Sequence, residues 1–138
     1  MARSKRVDVP RSQARSYLEK AKQFLNAAKD AVGGSRHDAA MLAAIHAAIS
    51  AADAVTVALV GQRSADPDHS RAVDLLDEVG GGATEVTSHA RQLRQLLATK
   101  NRVEYESRRA TAGNAADAVR RADRLVAWAS SVVDAARL

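Results

Sequence analysis

The chain contains no cysteine, and aromatic residues make up only 3% of its 138 positions: Tyr17, Phe24, Tyr105 and Trp128. Without cysteine there is no disulfide framework, no thiolate metal site and no thiol nucleophile, and a reducing cytoplasm is the expected home. The shortage of aromatic and β-branched residues argues against a sheet-based core. Alanine supplies much of the apolar content instead, and its high helix propensity and small bulk suit helices that approach one another closely. The opening Met-Ala-Arg-Ser-Lys-Arg runs into Val7-Asp8-Val9-Pro10 with no apolar signal-peptide region, and no later run is expected to reach the length of a membrane span.

What is abundant is positive charge. The formal net charge is +5, which favours anionic partners such as phosphates. Arg3, Lys5, Arg6, Arg11 and Arg15 cluster near the N-terminus, while Arg91, Arg94, Lys100, Arg102, Arg108 and Arg109 cluster around one later helix. Between them, the stretch from Asp66 to Glu85 is acidic.

The length fits one domain with one core. Residues 1–10 read as a basic arm and 11–138 as a single helical domain. Tyr17, Ala21, Phe24, Ala28 and Ala31 recur at helical spacing until Gly33-Gly34, where a positive φ costs little. Ser35 and Asp38 signal a second helix to about Gly61, with Leu42, Ile45, Ile49, Ala52, Val55 and Leu59 as core candidates. That helix should be central, because Asp53 is its one charge between Met41 and Leu59. A loop at 62–65 then leads to Asp66-Pro67, read as an N-cap and first helical residue, before a short helix bearing Val73, Leu75, Leu76 and Val79. After Gly80-Gly81-Gly82 a fourth helix runs from about Thr84 to Lys100 or Tyr105. Thr111 to Asn114 offers a cap for the last helix, which presents Val119, Ala122, Leu125, Val126, Ala129 and Val133. The expected fold is all-α: an up-and-down bundle of four long helices and one short one.

The four histidines, His37, His46, His69 and His89, lie in different segments with no pair placed on one helical face, so no metal is expected and no cofactor is implied. The triple glycine lacks the strand and lysine of a phosphate-binding loop and reads as a plain connection. His46, Ser50 and Asp53 form a polar stripe on the apolar second helix, suited either to hydrogen bonding within the core or to lining a cleft. Lys100-Asn101-Arg102-Val103-Glu104-Tyr105 is the most informative segment. In a helix, Asn101 and Tyr105 share a face and Lys100 pairs with Glu104. This is either a solvated helix end with a tyrosine packed at the rim of the core, or a cationic and phenolic cluster facing a phosphodiester.

Taken in order, these segments resemble the HEPN family of small helical-bundle domains, common in prokaryotic toxin-antitoxin, defence and RNA-processing proteins. The resemblance is carried by Tyr17-Leu18-Glu19-Lys20-Ala21, by Asp38-Ala39-Ala40 through Ala54 with His46 inside, by Pro67-Asp68-His69 ahead of a leucine-bearing helix, and by an asparagine-containing motif before the last helix. It implies a homodimer in which an arginine and a histidine separated by four to six intervening residues cleave RNA without metal. The arginine would stabilise the phosphate and the histidine would move protons. Here Lys100 stands at the arginine position, Asn101 matches the asparagine that often follows, and Tyr105 stands at the histidine position. Lysine offers a point charge rather than a bidentate fork, and a phenol with an ordinary pKa near 10 is a poor base. Ser107 occupies the place where some members carry a tyrosine modified by a partner nucleotidyltransferase.

The expectation is therefore a HEPN-like domain that binds RNA or a partner protein with weakened or lost ribonuclease activity. Its site would comprise Lys100, Tyr105 and Glu104 as reactive groups, Glu104 serving as a base, with Asn101, Arg102, Arg108, Arg109 and His46 as RNA contacts. Two alternatives stay open. One is an active metal-independent endoribonuclease toxin using Lys100 and Tyr105; the other is a structural or regulatory interaction domain. An antitoxin or a nucleotidyltransferase would be the protein partner, and no membrane is involved.

Overall fold

The computed structural model describes residues 5–138, so Arg3 of the basic arm lies outside the described residues. Six α-helices dominate: α1 (Ala14–Gly33), α2 (His37–Val60), α3 (Ser70–Gly80), α4 (Thr84–Ala98), α5 (Lys100–Tyr105) and α6 (Ala112–Ala135). The chain is an all-α bundle, as its alanine-rich periodicity predicts. Helix α2 is central and packs most extensively on α1 and then α6, while α3 and α4 pair beside it. Its faces toward these neighbours are lined by Ala44, Ala47, Ala48, Ala51 and Ala52, all buried, which lets the backbones come close. At 24 residues α2 is also long and apolar enough to cross a membrane, contrary to the expectation from sequence, but 67% of its most apolar stretch is buried inside the bundle.

Several boundaries differ from those read in the sequence. Residues Arg6–Asp8 (β1) pair antiparallel with Gln62–Ser64 (β2), so part of the basic arm, and the loop expected at 62–65, form a two-stranded ribbon. Val9 N–H donates to the Gly61 carbonyl at 2.8 Å, and Arg11 Nε donates to the Ala58 carbonyl at 2.7 Å, pinning the arm to the end of α2. Gly61 closes α2 with φ 65°, and a Cβ there would sit 3.1 Å from the Val9 carbonyl oxygen. Only glycine meets both demands without strain. At the end of α1 the left-handed residue is Ser35 (φ 58°), not either preceding glycine. Gly80 has a different role: any Cβ would overlap the Val86 side chain, so it permits the close approach of α3 and α4.

Thr111 caps α6 as its sequence suggests. Its Oγ1 accepts from Asn114 N–H at 3.0 Å, and Asn114 Oδ1 accepts from Thr111 N–H at 3.2 Å. Thr111→Ala should therefore lower stability by about 1 kcal/mol, read as a shift in the urea midpoint with no change in slope; an unchanged midpoint would show that the cap contributes nothing.

Candidate functional site

The fourth helical segment breaks at Thr99. Its N–H turns back to the Leu96 carbonyl at 3.1 Å and its Oγ1 donates to the same carbonyl at 2.7 Å, so the last turn of α4 tightens and α5 starts afresh at Lys100. Helical spacing then places Lys100, Asn101, Glu104 and Tyr105 on one face of α5. All four line an open cleft of about 420 Å³.

The opposite wall is built by the approach to α3. That helix begins at Ser70, later than the Asp66-Pro67 start read from the sequence, because the two aspartates organise the preceding turn instead. Asp66 Oδ1 accepts from Asp68 N–H at 2.9 Å, and Asp68 Oδ1 accepts from Ser70 N–H at 3.0 Å and from Ser70 Oγ at 2.7 Å. The hydrogen bonds from Ser70 hold the Asp68 carboxyl below its usual range. Pro67, Asp68, His69 and Ser70 complete the cleft with Val73 and Arg94.

Within the cleft Lys100 Nζ donates to Glu104 Oε2 at 2.7 Å, with about a fifth of each side chain exposed. That hydrogen bond holds the Glu104 carboxyl below its ordinary pKa, and a carboxylate so stabilised is a weak proton acceptor. Glu104 is thus ill-suited to the base role assigned from sequence. The Tyr105 ring, 77% exposed, does not pack at the rim of the core but projects from the lining of the cleft. His69 is lowered below its ordinary value chiefly by burial and then by the nearby Lys100 and His46, with Glu104 and Asp68 opposing.

The remaining candidates disperse. Arg102 lies on the other side of α5, in a recess of about 260 Å³ with Asn114, Asp117 and Arg121, because two residues along a helix turn it away from Lys100. Arg109 faces a third recess at the start of α2, with Arg36, His37 and Asp38, where Asp38 Oδ1 accepts from Ala110 N–H at 2.8 Å. Arg108 is exposed on the extended segment between α5 and α6. His46 lies against Phe24, ring centroids 5.5 Å apart, yet close enough to bias the protonation of both His69 and Glu104. The polar stripe of α2 divides accordingly: Asp53 opens into a separate pocket of about 160 Å³ with Arg63, Asp66 and His69. Burial pushes its carboxyl up to about 7 against the pull of Arg63 and Lys20.

His69, Asp68 and Arg94 are site residues that the sequence reading missed. The Asp-x-Asp spacing announces a turn, but nothing in the order of residues shows that this turn faces α5, thirty positions downstream. Among the described residues no group of three or more histidines and carboxylates is arranged to hold a metal ion.

A family model described as HEPN domain matches residues 14–132. No curated protein matches the chain. Among solved structures, the crystal structure of TT1696 from Thermus thermophilus superposes with a TM-score of 0.66 at 23% identity, covering 87% of this chain and 98% of that one. At that identity the likeness concerns the fold.

Proposed function

Because the chain belongs to the HEPN domain family, we propose that it is a cytoplasmic RNA-binding domain whose site is the cleft between α5 and the start of α3, and that the residues standing in for the family's arginine and histidine cleave RNA weakly or not at all. The observation that carries this reading is the shared wall of Lys100, Asn101 and the projecting Tyr105 ring opposite His69. An exposed phenol ring offers a base a stacking surface. Arg108, exposed after α5 and without an ion pair to any described residue, adds positive charge for a phosphate backbone, whereas Arg109 faces the separate recess at the start of α2. The charge on Lys100 is largely absorbed by Glu104, so stacking and Arg108 supply more of the affinity than the motif lysine. Two copies acting together, in a toxin-antitoxin or defence setting, complete the proposal.

The test is a fluorescence titration of a single-stranded RNA at several salt concentrations. Tyr105→Ala should weaken binding by about tenfold or more, the range expected for one lost base stack. Arg108→Ala should reduce the slope of log affinity against log salt by about one phosphate contact. Affinity that is absent at low salt, or indifferent to salt, overturns the reading and favours a protein partner on the same face.

A further inference from the structure

Arg102 is the cation that α5 turns away from the motif cleft. It is half-buried in the recess of about 260 Å³ formed with α4 and α6, and its side chain makes no ion pair or hydrogen bond with any described residue. A guanidinium cannot shed its charge, so withdrawing it from water without a partner is costly. The carboxylate and amide oxygens around it are already engaged. Asp117, the one carboxylate lining the recess, accepts from Arg120 Nη2 at 2.8 Å and from Arg121 Nε at 2.7 Å; the bond from Arg121 above all holds its carboxyl below the usual range. Gln95 Oε1 accepts from Arg121 Nη1, and Asn114 Oδ1 accepts from Thr111 N–H at 3.2 Å. Each amide has thus committed its oxygen and keeps N–H groups to donate, and Arg121 keeps Nη2 without a partner among the described residues. Arg102, Arg120 and Arg121 are set against a single carboxylate, which leaves a surplus of two positive charges in and beside a recess rich in donors.

We propose that this recess binds a phosphate dianion, free or as the monoester of a small molecule, at a site separate from the motif cleft. A phosphate dianion matches the surplus of charge, and its oxygens supply the acceptors that the two lining guanidiniums and the two amides lack. A carboxylate would leave one charge and several donors unanswered. At about 30 Å³ per water the recess has the space of roughly nine waters, enough for the phosphate and a short carbon chain. Its apolar lining, Met41, Leu96 and Ala118, is buried and offers that chain a surface. The site does not depend on RNA binding in the cleft, which lies on the other side of α5.

The experiment is isothermal titration calorimetry on the whole protein at alkaline pH and constant ionic strength, with inorganic phosphate as the first probe and glycerol 3-phosphate as the second. At least one should bind with one site per chain: tighter binding of the ester identifies a phosphorylated small molecule as the ligand, and binding of phosphate at least as tight identifies the free ion. Arg102→Gln should weaken the binding by about tenfold or more, as expected for lost charge-assisted hydrogen bonds. Arg102→Lys restores the charge but not the planar fork, so it should recover only part of that loss; it also decides the matter if Arg102→Gln does not fold. Arg91→Gln removes an exposed arginine of α4 outside the recess and should leave affinity within about twofold of wild type. Absence of binding by both probes overturns the site. So does an affinity unchanged in Arg102→Gln, a full recovery in Arg102→Lys, or an equal loss in Arg91→Gln, since each would reduce the effect to general attraction by a basic protein.

Discussion

Ile45→Ala is expected to destabilise the protein by about 3 kcal/mol, within the range for truncating a fully buried isoleucine to alanine, and to lower Tm by roughly 10 °C. Ile45 is wholly inaccessible in the middle of α2, the helix on which α1 and α6 both pack. The core cluster to which it belongs is rich in alanine on α1, α2 and α6, and alanine side chains cannot extend into the space a truncation leaves. The cavity contribution should therefore be retained rather than relaxed away. Leu59→Ala provides the comparison. Leu59 belongs to the same row of apolar residues in the sequence, but it is 43% exposed in the last turn of α2, and its truncation should cost well under 1 kcal/mol. Urea titrations of the two variants measure the difference; equal costs would mean that the bundle core does not lie where the burial pattern puts it.

That pair of residues also shows what periodicity can and cannot reveal. Of the six positions of α2 that the spacing points at the core, from Leu42 through Leu59, Ile45, Ala52 and Val55 are buried; Leu42 and Ile49 are half-buried and Leu59 is exposed. Spacing identifies the face of a helix, but it does not show where along the axis the neighbouring helices stop covering it. The ribbon escapes the sequence for a related reason. Arg6–Asp8 and Gln62–Ser64 are short and mostly polar, so neither segment carries a strand signature, and the pairing is stabilised by backbone bonds and by an ion pair between Arg6 and Glu78. At the site, the i, i+4 pair of Lys100 with Glu104 and the shared face of Asn101 and Tyr105 are readable, because they depend on one helix. Arg102 is misplaced with them, since clustering in sequence is not clustering on a face. His69 cannot be placed, because its position depends on how α3 packs relative to α5. The polar stripe on α2 is visible in sequence, but its separation into a histidine against Phe24 and a carboxyl in its own pocket is not.

The carboxyl in that pocket gives the second large effect. Asp53 is held up at about 7 in the folded protein, against an ordinary value of 3.8, with burial as the leading cause. The folded state therefore binds a proton that the unfolded state has already released between about pH 4 and 7. Below the unfolded value the aspartate is neutral in both states and exacts no penalty. As pH rises from 4 to 7 the unfolded chain ionises first, and stability falls by on the order of 4 kcal/mol before levelling off above the folded value. Arg63 and Lys20 pull in the opposite direction but do not outweigh the desolvation. Asp53→Asn removes the ionisation and keeps the shape of the side chain, so at pH 8 the variant should be the more stable protein by several kcal/mol, while at pH 4 the two should be nearly equal. Urea unfolding of both proteins at pH 4, 6 and 8 provides the measurement. A wild type whose midpoint does not fall between pH 4 and 8 relative to the variant would mean that Asp53 ionises in contact with water or with Arg63, and that the pocket beside His69 is wetter than its lining implies. The expected result would instead place a carboxyl that is half-protonated near neutrality next to the imidazole of the cleft, at some cost in stability. Natural sequences retain such a cost where a site needs polar groups that the core would otherwise exclude.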